Sequence, residues 1–168
     1  MNKDIVVHPD GKLHFDGHIY TCAIGKNGMT EDKKEGDMST PVGSFPIREV
    51  FYRADQISKP VTGLRTREIL PTDGWCDDAE NEMYNKHISL PFSGTHEKLW
   101  RDDHIYDIVV VIGYNDDPVV GGKGSAIFLH LARENYTPTE GCVAVALPDM
   151  LYILEGLEAQ SVLTVLNY

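Results

Sequence analysis

Ile127-Phe128-Leu129-His130-Leu131, followed after a polar turn by Thr139-Glu140-Gly141-Cys142-Val143, decides how this chain is read. The run Ser125 to Leu131 is almost continuously apolar, as is Tyr106 to Ile112 before it, and such runs fit strands covered on both faces of a sheet. His130 sits at the end of one of them. Cys142 follows a glycine at the start of the next apolar stretch, Val143 to Ala146, and the twelve-residue separation lets the link fold back and bring the two side chains together. An imidazole beside a thiol supplies thiolate character by taking its proton. The glycine before the cysteine predicts backbone N–H groups free to hold an oxyanion, and an exposed sulfur whose removal costs little packing. No acid lies at a short spacing to orient the ring, although a backbone carbonyl such as that of Leu131 could do so. On spacing alone a buried thiol and a satisfied core histidine fit equally, so Cys142, His130, Gly141 and Leu131 stand as candidates.

Outward from this stretch the chain reads as mainly β, a sandwich-like fold with one packed helix near the C-terminus. The N-terminal part is a meander: Ile5 to His8, Leu13 to Phe15 and His18 to Ile24, separated by Pro9-Asp10-Gly11, Asp16-Gly17 and Lys26-Asn27-Gly28. A polar loop from Met29 to Gly43 delivers a strand Ser44 to Phe51. Residues 53–98 carry Pro60, Pro71 and Pro91 and little periodicity, so they read as a long irregular insert, a lid, a substrate wall or a tolerated excursion. After Cys142, Pro148 opens a helix whose Leu147, Met150, Leu151, Leu154 and Leu157 form a core-facing stripe. A last strand, Ser161 to Leu166, completes a single domain over residues 1–168.

Composition narrows the function. The net charge of −11 argues against nucleic acid, which demands clustered Lys and Arg. The longest apolar runs fall far short of the roughly 20 residues needed to span a bilayer. The stretch Met1-Asn2-Lys3-Asp4-Ile5-Val6-Val7 holds no signal-peptide core. Cys22, Cys76 and Cys142 match no CxxC or zinc spacing. His87, His96 and His104, near Cys76 and Asp103, lie too far apart for one helix turn and form no HExxH, so neither a metal nor another cofactor is expected.

Two separated stretches carry a family resemblance. His130 with Thr139-Glu140-Gly141-Cys142 resembles the signature of the L,D-transpeptidase (YkuD-type) catalytic domain, a strand-borne His followed by Ser/Thr-x-Gly-Cys. Lys34-Glu35-Gly36-Asp37-Met38-Ser39-Thr40-Pro41-Val42-Gly43-Ser44-Phe45 is similar to that family's EGD and Thr-Pro-x-Gly-x-Phe stretch. Asp73-Gly74-Trp75-Cys76-Asp77-Asp78 and Gly124 to His130 match blocks of its short members. The resemblance implies a β-sandwich-like domain in which Cys142 takes an acyl group from a peptidoglycan stem peptide and an amine of a second stem releases it. Water as acceptor would make the same dyad an L,D-carboxypeptidase or amidase, and a vestigial dyad would leave a wall-binding module. Many members carry His before the Gly-Cys pair and Arg or Asn two residues after the cysteine; here Glu140 and Ala144 stand there. Expected substrate contacts are Glu140 and Thr139 beside the cysteine, Trp75 and Tyr84 as groove aromatics, Asn115 and Asp116 for peptide amides or an ammonium, and Arg53 for a stem carboxylate. The substrate implies a periplasmic or cell-envelope location if an export signal is missing from this chain, and a cytoplasmic one otherwise.

Overall fold

The computed structural model describes residues 3–168; Met1 and Asn2, where the N-terminal reading begins, lie outside the described residues. The strands are β1 (Ile5–His8), β2 (Lys12–Phe15), β3 (His18–Thr21), β4 (Met29–Thr30), β5 (Thr40–Pro41), β6 (Gly43–Tyr52), β7 (Thr66–Glu68), β8 (Asp73–Cys76), β9 (His87–Ser89), β10 (His96–Lys98), β11 (Ile108–Ile112), β12 (Phe128–Leu131), β13 (Val143–Val145) and β14 (Val162–Val165). Helix α1 (Leu147–Gly156) lies between the last two.

A nine-stranded sheet in the order β13-β12-β11-β6-β14-β1-β2-β3, with β7 on β6, organises the molecule. The continuous apolar runs form its centre, since every residue of β11 and β12 is buried. The ten-residue β6 ties the two halves together, pairing antiparallel with β11 through one stretch and with β14 through the other. Alternation along these strands divides the interior. On one face Ile108, Val110, Leu129, Leu131, Val143 and Val145 pack with α1 and the N-terminal meander. On the other, Val109, Val111, Phe128 and Cys142 pack with Trp75, Leu99, Ile105 and Tyr106.

The second core corrects the reading of residues 53–98. Instead of an irregular insert, they contain β7 and a three-stranded antiparallel sheet, β10-β8-β9. These strands are only three or four residues long, and β10 (His96-Glu97-Lys98) has no fully buried position. Without alternation they leave no strand signal in the sequence. The helix also sits in a different phase from that expected. Met150, Ile153, Leu154 and Leu157 are buried, again at i, i+3, i+4 and i+7, whereas Leu147 and Leu151 are 37% and 41% exposed. Pro148 occupies the first turn, where its missing N–H costs nothing.

Candidate active site

The eleven residues between His130 and Cys142 return the chain beside the strand it left. β12 and β13 pair in parallel with Leu129 opposite Val143 and His130 opposite Ala144. Facing residues of paired strands share a face, so the His130 and Cys142 side chains share the face that looks away from α1. Both line a cavity of about 450 Å³, together with Lys33, Asp77, Glu97, Arg101, Tyr106, Arg133, Thr139 and Glu140. β13 is the end strand of the sheet. Its outer edge is held by Ala23, whose N–H donates to the Ala144 carbonyl (2.8 Å) while Ala144 N–H donates to the Ala23 carbonyl (3.0 Å).

Cys142 is 8% exposed, buried rather than open as expected. Its Sγ donates to the Ala126 carbonyl (3.2 Å) and accepts from the Phe128 N–H (3.4 Å). Burial, then the Glu97 carboxylate, pushes the thiol up to about 12, and Glu140 adds to this; the Phe128 N–H and Lys33 act the other way. His130 is 5% exposed, and Nδ1 lies 2.9 Å from the Leu131 carbonyl. A carbonyl only accepts, so Nδ1 carries the proton and Nε2 is the basic atom. Burial lowers the imidazole to about 4, opposed by the Leu131 bond and reinforced by Arg101 and Arg133. At neutral pH the two groups therefore rest uncharged. A thiol in this state would attack an electrophile only if it lost its proton during the attack, rather than from a standing ion pair.

The loop carrying the cysteine is built tightly. Gly141 has φ +141°, and a Cβ there would lie 2.8 Å from the Ser39 carbonyl. The Thr139 hydroxyl donates to the Cys142 carbonyl (2.6 Å) and accepts from the Gly141 N–H (3.1 Å). This corrects two expectations: the Gly141 N–H is engaged, and Thr139 spends its donor on bracing the loop although it lines the cavity. The 34–45 stretch supplies the opposing wall. Asp37 accepts from the Lys34 and Ser39 N–H groups (2.9 Å each) and pairs with the buried Lys33 (2.5 Å). Glu35 accepts from Tyr84 (2.7 Å) and Ser125 (2.5 Å) hydroxyls.

Of the other expected substrate contacts, Glu140 lines the cavity; Trp75, Tyr84, Asn115, Asp116 and Arg53 do not. Trp75 stacks edge-on against Phe128 (5.1 Å) and donates its indole N–H to Asn85 Oδ1 (2.9 Å), an atom that also accepts from Ala126 N–H (3.0 Å). Through that shared oxygen Trp75 positions the residue whose carbonyl accepts the thiol hydrogen bond. Tyr84 holds Glu35 and accepts from Gly124 N–H. Asn115 ties its own loop through Val120 and Gly124, and Asp116 forms a two-bond pair with Arg48 (2.9 and 3.0 Å). Arg53 is buried, forked onto Asp55 (2.8 Å), bonded to the Arg101 carbonyl and laid over Trp100 at 3.5 Å. Each has a structural employment that residue type alone did not reveal. Among the described residues no group of three or more His, Cys, Asp or Glu is placed to hold a metal ion. His87, His96 and His104 each bond a separate partner: Asp73, the Gly94 carbonyl and Asp107.

Sequence reasoning missed Glu97, Arg101, Tyr106 and Arg133. Glu97, on β10, accepts a short hydrogen bond from the Tyr106 hydroxyl, and burial lifts its carboxyl to about 7. The Tyr106 ring meets His130 edge-on at 5.2 Å, and Arg101 lies 5.3 Å over the same ring. Arg101 and Arg133 both bond Asp103, which is held well below the usual carboxylate range.

Comparison with known proteins bears on the family and the fold. A family model described as the L,D-transpeptidase catalytic domain (YkuD) matches residues 3–164. The helical cell shape determining protein Pgp2 from Campylobacter jejuni superposes with TM-score 0.52 at 14% identity, over 99% of this chain and 48% of that one. An L,D-transpeptidase from Mycobacterium smegmatis gives TM-score 0.42 at 12% identity, over 98% of this chain and 58% of that one. The chain thus spans about half the length of these solved structures. No curated protein matches the sequence.

Proposed function

The chain belongs to the L,D-transpeptidase catalytic domain family, and from that premise we propose that it is a cysteine acyltransferase acting on peptidoglycan stem peptides. Cys142 is the nucleophile and His130 its base. The observation that carries this reading is the parallel register of β12 and β13, which sets both side chains on one face and in one cavity while the Leu131 carbonyl fixes the imidazole tautomer.

The sulfur attacks the carbonyl carbon of a stem-peptide amide as Nε2 takes its proton. The same imidazolium then protonates the leaving amine, and a thioester remains on Cys142. An amine of a second stem attacks the thioester, forms the cross-link and returns the thiol. Water in place of that amine turns the same intermediate into a hydrolytic product. We place this work, with its substrate, in the cell envelope. No helix among the described residues is long and apolar enough to cross a membrane.

Intact-protein mass spectrometry with a tetrapeptide stem donor, followed by analysis of the released muropeptides, tests the proposal. An acyl adduct on Cys142 that transfers to an added stem amine is expected, as is its loss in Cys142→Ala. Product formation persisting in Cys142→Ala refutes the assignment, and the ratio of cross-linked to hydrolysed product separates transpeptidase from carboxypeptidase.

A further inference from the structure

The same cavity holds a group that the thiol–imidazole chemistry leaves unused. Glu97 enters from β10, in the sheet that covers the Cys142 face, and its Oε1 is fixed by the Tyr106 hydroxyl. Beside it Asp77, at the end of β8, also lines the cavity. Asp77 Oδ1 is buried and has no hydrogen-bond partner among the described residues. A buried carboxylate oxygen without a donor is costly and awaits one. The charged and titratable groups acting on Glu97 from the surrounding elements are Tyr106 and Arg101, which favour its ionised form, and Glu140 and Asp77, which oppose it. Glu97 is in turn the largest charge acting on Cys142.

Resting on the thioester reading above, we propose that Glu97 is a second catalytic base, which with Asp77 receives the ammonium of the incoming acceptor and removes one of its protons. An alkyl ammonium has no lone pair and cannot attack a thioester. His130 is occupied in relaying the second nitrogen proton to the sulfur, so the first needs another acceptor, and the Glu97 carboxylate in the same cavity, lifted to about 7 by burial, is placed to take it. The step balances. The ammonium gives one proton to Glu97 and becomes a neutral amine; its nitrogen bonds the thioester carbon; the C–S bond breaks; and the second nitrogen proton passes through His130 to the departing sulfur. The products are an amide, a neutral Cys142 thiol and a protonated Glu97, which bulk water then deprotonates.

The test compares wild type, Glu97→Gln and Asp77→Asn in single turnovers at pH 7, with two acceptors for the acyl-enzyme. One is a stem peptide bearing an alkyl amine; the other is hydroxylamine, already unprotonated at that pH. Glu97→Gln retains the acceptor oxygen for Tyr106. It should acylate at the wild-type rate or faster, transfer to the stem amine about 100-fold more slowly, and transfer to hydroxylamine unchanged. Asp77→Asn should raise the stem-amine concentration needed for half-maximal transfer while leaving hydroxylamine unaffected. Equal transfer by wild type and Glu97→Gln, or a parallel loss with both acceptors, overturns the assignment of Glu97 and leaves the thioester reading intact. A wild-type protein that forms no acyl-enzyme overturns both.

Discussion

Replacing Gly141 by alanine probes the contact on which the cysteine loop closes. The new Cβ would lie 2.8 Å from the Ser39 carbonyl, about 0.6 Å inside the 3.4 Å at which ordinary contact begins, in a residue with φ +141°. Backbone in such sparsely populated regions costs roughly 1–3 kcal/mol for a residue with a side chain. With the clash added, a loss of about 3 kcal/mol follows, or roughly 6–12 °C in melting temperature for a chain of this length. Gly122 supplies the control, because it also has positive φ (+81°) but nothing within 4 Å of a Cβ. Gly122→Ala should cost about 1 kcal/mol, strain without collision. The functional effect is expected to be larger than the thermal one. A carbonyl and a cysteine backbone forced apart by about 0.6 Å displace Sγ from its approach, and misplacements of about 1 Å cost around 100-fold in rate. Calorimetry on both variants, with acyl-enzyme formation followed by intact mass, measures the two effects separately. A Gly141→Ala protein that melts within 2 °C of Gly122→Ala and acylates at the wild-type rate would refute the packing argument.

Three further outcomes are expected. Between about pH 4 and 6.5 the unfolded state protonates its imidazole while folded His130 does not, so stability rises with pH, by up to about 3 kcal/mol. Glu97 has the opposite sign between 4.5 and 7, where the folded state holds the proton and stability falls as pH rises. Urea titrations should therefore steepen with pH in Glu97→Gln and flatten or reverse in His130→Gln, and identical slopes in all three proteins would discredit the burial argument. Cys142→Ala should cost about 1 kcal/mol, more than an exposed sulfur would, because it removes a buried group bonded to Ala126 and Phe128; an unchanged urea midpoint contradicts this. Arg53→Lys should lower the melting temperature through its lost fork on Asp55, with acylation kept within a few-fold of wild type; a stable protein with a large rise in donor KM would instead restore Arg53 as a substrate contact.

The sheet centre was legible because burial on both faces writes continuous apolar residues, as in Ile108–Ile112 and Phe128–Leu131. The cysteine–histidine pair was legible through its resemblance to a strand-borne His followed by Ser/Thr-x-Gly-Cys, since spacing alone left a buried thiol and a core histidine open, and the structure sets both side chains in one cavity. β8, β9 and β10 were not, since three or four mixed residues have no period to detect, and Glu97 is set opposite Trp75 only by their register. The helix phase differs from the expected one because six apolar positions, Leu147, Met150, Leu151, Ile153, Leu154 and Leu157, offer two overlapping stripes, and burial falls on Met150, Ile153, Leu154 and Leu157. Residue type suggests Arg53, Trp75, Tyr84, Asn115 and Asp116 as substrate contacts, but the polar atoms of buried Arg53, Trp75 and Tyr84 are satisfied by the protein itself, and the partly exposed Asn115 and Asp116 are held by Val120, Gly124 and Arg48.

The edge position of β13 also sets a timetable. The cysteine strand is flanked on one side by β12, a short hop along the chain, and on the other by Ala23 and Gly25, which bridge to Ala144 and Thr139 across more than a hundred residues. Closing so long a span is entropically slow, and such distant pairings are gained late. During refolding, β11, β12 and β13, which all lie between Ile108 and Val145, can therefore pair before the cysteine strand gains its outer neighbour, while the equally distant β1–β14 and β6–β14 pairings come late with it. On the acyl-transfer reading proposed above, the site is then completed among the last pairings, and an agent that captured the N-terminal segment during synthesis would leave β12 and β13 paired without the neighbour that braces Ala144 and Thr139.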